Sequence, residues 1–120
     1  MESAGLFETV DPLSDDQALV VRTRQGLTVI LGCAHSGLIN TIEYVLDHFK
    51  GKKLHAIIGG THLGFLKDTQ LNRTISDLKH HDFRILGMSH CTGLKAASRL
   101  FQEFKHQCFF ATAGTSFNIE

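Results

Sequence analysis

Three short stretches concentrate the side chains able to do chemistry: Gly32-Cys33-Ala34-His35, Gly59-Gly60-Thr61-His62 and Ser89-His90-Cys91-Thr92-Gly93. Each sets small residues beside a histidine, and two of them add a cysteine. Neutral imidazole is the commonest protein ligand for zinc and serves iron and manganese as well, and thiolate is a zinc ligand too. Glycine lets the backbone approach a metal or substrate closely. A lone histidine in such a place reads as a surface or cap residue. The same grammar repeated three times points to one convergent site, because strand-end loops carry function disproportionately. No Cys-x-x-Cys or His-x-x-x-His pair occurs, so a metal site must be assembled from residues distant in sequence. His-Glu-x-x-His, Gly-x-Ser-x-Gly and Gly-x-x-x-x-Gly-Lys-Ser/Thr are also missing. Carboxylates are nearly absent from the three stretches, the nearest being Asp68, which argues against a calcium cage.

The remaining histidines and cysteines read as structural. His48, His80, His81 and His106 fall near helix ends, where a cation meets the C-terminal dipole, and His55 opens a strand. Cys33 has two readings of equal weight, a metal ligand or a small buried hydrophobe. Cys91 directly follows His90 and is expected to turn into the helix packing. Cys108, in the apolar run CFFATA, is expected in the core. Neither Cys33 nor Cys91 sits in a context that lowers a thiol pKa, so no redox role is read from them. Three widely spaced cysteines, behind an acidic N-terminus with no apolar signal segment, are expected to be reduced thiols in the cytoplasm.

The elements that must position these loops follow from hydrophobic periodicity. Ala18 to Arg24 and Leu27 to Leu31 are aliphatic and β-branched runs separated by Gln25-Gly26, a hairpin signal. Leu38 to about Phe49 carries a helical stripe of Leu38, Ile42, Val45, Leu46 and Phe49, and Gly51 stops it. Leu54 to Ile58 is the next strand. Thr69 to His81 is a helix with Leu71, Ile75 and Leu78 on one face, and Phe83 to Met88 is a strand. Leu94 to Phe104 is a third helix with Leu94, Ala97, Leu100, Phe101 and Phe104 as its buried stripe. Cys108 to Ala113 is a strand, and Thr115 to Ile119 a short last one. The order β-β-α-β-α-β-α-β-β implies an α/β layer in one module over residues 15–120, behind an irregular lead at 1–14. If the strands preceding the three histidines run parallel, His35, His62 and His90 all emerge along one sheet edge, where α/β folds collect ligands.

Composition bounds the rest. A chain of 120 residues, 42% hydrophobic and 20% charged, is one ordinary globular domain. Twelve Lys plus Arg balance twelve Asp plus Glu, which gives no electrostatic footprint for nucleic acid. No apolar run reaches the roughly 18 to 20 residues of a membrane-spanning helix.

Four segments in order (16–21, 26–37, 57–63 and 89–93) resemble the C-terminal half of metallo-β-lactamase-fold hydrolases. They include Gly32-Cys33-Ala34-His35-Ser36-Gly37, Gly59-Gly60-Thr61-His62-Leu63 and Ser89-His90-Cys91-Thr92-Gly93. The branch they resemble is that of the 7,8-dihydropterin-6-methyl-4-(β-D-ribofuranosyl)-aminobenzene-5'-phosphate synthases. The resemblance covers about residues 15 to 119. It implies one half of a four-layer αββα sandwich, with metals at the seam between two similar halves. By position, His90 matches the last metal histidine, and Gly32-Cys33-Ala34-His35 matches the loop that completes the site. Between Cys33 and His35 it favours His35 as ligand, with Cys33 as a further candidate. His62 matches a histidine at the pocket rim, implying substrate contact; the loops themselves add Gly60, where the backbone can approach a ligand closely, and the Thr92 hydroxyl as further substrate-binding candidates. Branch members commonly carry an aromatic where this chain has Thr61.

The His-x-His-x-Asp-His loop of the family's first half is not among these 120 residues. The resemblance therefore implies a complementary N-terminal half, or a second copy, before a dinuclear centre can form. Two functions follow as expectations. One is a metal-dependent hydrolase half-domain, holding zinc (or iron or manganese) and acting on a phosphorylated, ester or pterin-like small molecule, with no single catalytic residue assigned. The other is a non-catalytic remnant that dimerises or binds a partner through an exposed sheet.

Overall fold

A computed structural model describes residues 16–116 and 118. The lead expected over residues 1–14 lies outside them, as do positions 117 and 119 of the expected last strand. Five strands form one sheet in sequential order: β1 (Ala18–Thr23), β2 (Gly26–Leu31), β3 (Leu54–Gly59), β4 (Ile85–Met88) and β5 (Cys108–Phe110). β1 and β2 pair antiparallel, and β2 through β5 run parallel. Three eleven-residue helices make the crossovers: α1 (Leu38–His48), α2 (Asp68–Leu78) and α3 (Leu94–Phe104). The parallel strands are added always in one direction. With the usual right-handed crossover, all three helices then fall on one face of the sheet, and α2 packs between α1 and α3.

That face and the helices enclose the core. Leu27, Val29, Ile57, Leu86 and Met88 of the sheet meet Ile42 and Val45 of α1, Leu78 of α2 and Leu100 of α3, all fully buried. Each such side chain contributes about 1.5–3 kcal/mol relative to remaining in water. The opposite face carries a row of register partners across the sheet: Leu19, Ile30, Ile58, Gly87 and Phe109. Gly87 has no side chain, so the Phe109 ring lies across it toward Ile58. Leu19 and Ile30 at the other end of the row are 52% and 37% exposed.

The expected elements recur with local differences. The hairpin turn is Arg24-Gln25, and Gly26 already pairs with Thr23. Gly26 has φ +134°, and a Cβ there would approach the Lys53 carbonyl oxygen to 2.5 Å. In α3, Leu94 is 80% exposed and Ala96 is buried in its place. At 100° per residue, Leu94 lies roughly 100° from the centre of the arc formed by Ala96, Ala97, Leu100 and Phe104. β5 stops at Phe110, three residues early, because its partner β4 ends at Met88. One more ladder bond, from the Ala111 amide to the Met88 carbonyl at 2.8 Å, exhausts the pairing. Thr115 and Ser116, expected to open a last strand, are in none. Among the described residues no helix is long and apolar enough to cross a membrane.

The end of β3 shows how tightly the sheet edge is drawn. Gly59 has φ +129°, and a Cβ there would drive into the Leu31 carbonyl oxygen. Gly59→Ala is therefore expected to cost about 1–3 kcal/mol, from the unfavourable backbone conformation alone, read as a lower urea midpoint with an unchanged slope.

Candidate metal centre

Because β2, β3 and β4 are parallel, the three histidine-bearing loops do emerge along one edge of the sheet. Backbone hydrogen bonds continue the ladder past the strands. Gly32 N–H donates to Gln17 O at 3.3 Å, Gly60 N–H to Gly32 O at 3.0 Å, and Ser89 N–H to Gly59 O at 3.0 Å. Side chains reinforce this. The buried carboxylate of Asp16 accepts from the Ser36 amide at 3.0 Å and the Ser36 hydroxyl at 2.8 Å. Thr61 and Thr92, each 2% exposed, join their hydroxyls at 2.8 Å and so bind the second loop to the third.

Cys33, His90 and Cys91 converge at this edge. One ligand atom from each lies within 4.8 Å of the others, and Cys33 Sγ is 2.8 Å from His90 Nε2. β2 and β4 are not neighbours, so the first and third loops must meet over the end of β3. Gly60 makes that possible. A Cβ at this position would come within 2.5 Å of His90 Cε1 and 2.7 Å of Cys91 Sγ. The second loop also contributes a donor, since His62 N–H points at Cys91 Sγ at 3.1 Å. The Cys91 S–H is directed toward the Cys33 carbonyl at 3.6 Å. Burial pushes the Cys91 thiol above its usual range, partly opposed by the His62 amide. On the far side of the imidazole, the Ser89 hydroxyl lies 3.3 Å from His90 Nδ1 and can fix the ring orientation.

His35 and His62 form a second grouping. Their ring centroids are 4.7 Å apart, edge to face, and Phe65 lies 4.6 Å beyond His62. Ala34, with φ +57°, turns the chain between Cys33 and His35. Cys33 is thereby grouped with His90, while His35 is exposed beside His62. His62 itself has φ +58°, and its Nδ1 is buried with no hydrogen-bond partner among the described residues. Both histidines line a cleft of about 920 Å³ between α1 and α2 that also takes in Asn40, Gln70 and Arg73.

Among the residues singled out from sequence, Cys33, His90 and Gly60 thus meet at one point, and His35 and His62 at another. The Thr92 hydroxyl is spent on Thr61. Cys91 was expected in the helix packing and instead turns its sulfur to the group. It occupies a short 3₁₀ turn, His90–Thr92, and from there its sulfur reaches the same group as the His90 ring. An adjacent His-Cys pair in a strand-end loop was the available signal. Cys108, expected in the core, is only partly buried and packs against it, its S–H directed to the Leu100 carbonyl at 3.5 Å. Burial raises its thiol from an ordinary 9.0 to about 11. Thiolate is the species that alkylates, so below pH 9 Cys108 should react with iodoacetamide about a hundredfold more slowly than an unperturbed thiol, and its rate should climb until about pH 11. Peptide mass spectrometry of a pH series checks this; a Cys108 rate that levels off near pH 9 would refute it.

Comparison with known proteins places the geometry in context. No family model matches the chain. It is 43% identical over 95 residues to an uncharacterized protein of Methanocaldococcus jannaschii, covering 77% of this chain and 33% of that protein. It is 31% identical over 96 residues to the 7,8-dihydropterin-6-methyl-4-(β-D-ribofuranosyl)-aminobenzene-5'-phosphate synthase of the same organism, covering 80% and 33%. The chain thus spans about a third of the length of the curated relatives it matches. A crystal structure of a metal-dependent hydrolase of the β-lactamase superfamily superposes with a TM-score of 0.82 at 29% identity, covering 91% of this chain and 42% of that one. These likenesses meet the expectation drawn from the order of the motifs: the chain has the fold of part of a β-lactamase-superfamily metal-dependent hydrolase.

Proposed function

We propose that this chain supplies the later metal-ligand loops of a hydrolytic site, completed by a complementary half that brings the remaining ligands. The observation that carries this reading is the meeting of Cys33, His90 and Cys91 at the C-terminal edge of parallel strands, in a fold shared with a metal-dependent hydrolase. The donor set suits the ion. Tetrahedral zinc with Zn–S near 2.3 Å and Zn–N near 2.0 Å holds its ligand atoms about 3.5–3.8 Å apart; the three atoms lie within 4.8 Å of one another, and the Cys33 Sγ–His90 Nε2 pair, at 2.8 Å, would open by about 0.7 Å to admit the ion. One imidazole and two sulfurs, with no carboxylate, favour zinc over harder cations; iron and manganese are the alternatives. His35, the ligand the resemblance favours, stands apart from this group beside His62 and would have to turn toward it to serve as a fourth ligand. When bound, such an ion supplies Lewis acidity and a water whose pKa falls toward about 7.

The chain's own residues do the remainder. His90 presents Nε2 to the centre while Ser89 holds the opposite nitrogen. Gly60 clears the space beneath it. His62, which lines the cleft beside His35, orients an anionic substrate, and Thr92 holds the loop that carries His90. The name of one relative, a pterin-related synthase, supports a phosphorylated or pterin-like small molecule over a macromolecule. A cytoplasmic setting fits a site with two free thiols.

The row of Leu19, Ile30, Ile58 and Phe109 is the surface on which the complementary half, or a second copy, would seat. A second reading takes its support from the same row: a non-catalytic half-domain that associates through this face. Metal uptake separates the two. The chain as isolated is expected to bind about one zinc, and His90→Ala or Cys33→Ser to weaken uptake by at least about tenfold. Gly60→Ala should do likewise by displacing His90 and Cys91 while leaving both present. Equilibrium dialysis with elemental analysis provides the measurement. No zinc bound by the unmodified chain would sink a site that these three ligands can hold by themselves, and leave the non-catalytic reading for the chain without its complementary half.

A further inference from the structure

Two of the three cysteine sulfurs in this chain face one another across the sheet edge. Cys33 arrives from β2 and Cys91 from β4, fifty-eight residues apart in sequence, and their Sγ atoms lie within 4.8 Å. Both thiols are free and partly buried. Their loops are held in place by the Gly60 and Ser89 backbone bonds and by the Thr61–Thr92 pair, so the sulfurs meet whether or not an ion lies between them. Gly60, lacking a Cβ where one would press on Cys91 Sγ at 2.7 Å, leaves that sulfur room to swing by side-chain rotation. Cys108 is remote from the pair, its thiol directed to Leu100 at the base of α3.

We infer that Cys33 and Cys91 are an oxidisable pair, closed by a peroxide to an intramolecular disulfide, and that closure and metal binding exclude one another. The first step transfers one peroxide oxygen to a thiol sulfur, giving a sulfenic acid and one water. The second thiol's sulfur then attacks it, forming the S–S bond and releasing the second water. Two electrons pass from the two sulfurs to the peroxide, and both thiol protons end in water. Exclusion follows from distance: bonded sulfurs stand about 2.05 Å apart, whereas two thiolates sharing tetrahedral zinc stand about 3.8 Å apart. A closed pair also has no thiolate left to offer. The exclusion rests on the metal reading above; the disulfide does not.

The test uses the full chain, stripped of metal with a chelator and treated with one equivalent of hydrogen peroxide. Thiols are then counted in denaturant, and peptides are mapped without reductant. The expected result is two of the three thiols lost, a Cys33–Cys91 cross-linked peptide, Cys108 unmodified and the mass of a monomer. Cys108→Ser should lose both remaining thiols, while Cys91→Ser should form no internal cross-link. Three surviving thiols, or a cross-link that uses Cys108 or a second chain, would overturn the pair. Exclusion is read with Zn²⁺ alone: saturating zinc should slow thiol loss at least about tenfold, and the oxidised chain should take up zinc at least about tenfold more weakly than the reduced one. Equal uptake by both forms overturns the exclusion and removes the two thiolates from the metal site, while zinc binding by the chain stands. No uptake by the reduced form overturns the metal reading and the exclusion together, while the thiol count still judges the pair.

Discussion

Everything at the working edge of this molecule depends on a place where a side chain is missing. The sheet sets β3 between β2 and β4, so loops leaving the outer two strands are separated by two strand spacings, about 9.5 Å. They can share a site only by leaning over the strand between them. Gly59 and Gly60 permit this from below. The first takes a backbone conformation that L residues resist, and the second leaves an opening into which His90 and Cys91 settle. The amides of Gly60 and Ser89 then stitch the three loops together. The convergence is thus a property of the backbone at the end of β3, and the ligands inherit it.

The same economy appears on the two faces of the sheet. One face is closed by three helices whose apolar stripes fit it, and its residues are almost wholly buried. The other has its own hydrophobic row, partly exposed at the Leu19–Ile30 end and closed over by Phe109 at the other. A sheet apolar on both sides is normal where both faces are covered by other layers. The described residues supply one such layer.

Much of this could be read from the residues. Alternating aliphatic runs and helical stripes identified eight elements, and α3 matches its expected bounds of Leu94–Phe104. That the three histidine loops share one sheet edge followed from parallel strands; which side chains meet there did not. Periodicity failed where geometry finer than the period decides. Leu94 belongs to the stripe by spacing yet sits at its margin. β5 is cut short by the length of its partner, which no residue of β5 reveals. At the site, Ala34 in a left-handed conformation turns the chain between Cys33 and His35, and a 3₁₀ turn brings Cys91 in beside His90. Both are backbone torsions at ordinary residues, which hydrophobic spacing does not reveal.

Asp16 shows that the folded unit is not bounded by its first strand. Its carboxylate lies 20 residues upstream of Ser36 and satisfies both the amide and the hydroxyl of that residue, in a buried setting. A truncation beginning at Gln17 would keep every strand and helix. It would nevertheless strip the loop between β2 and α1 of its acceptor, leaving two buried donors with nothing to bind, at about 1–3 kcal/mol for each. The edge of the domain, for anyone dividing or fusing it, is set by a side chain that belongs to no secondary structure.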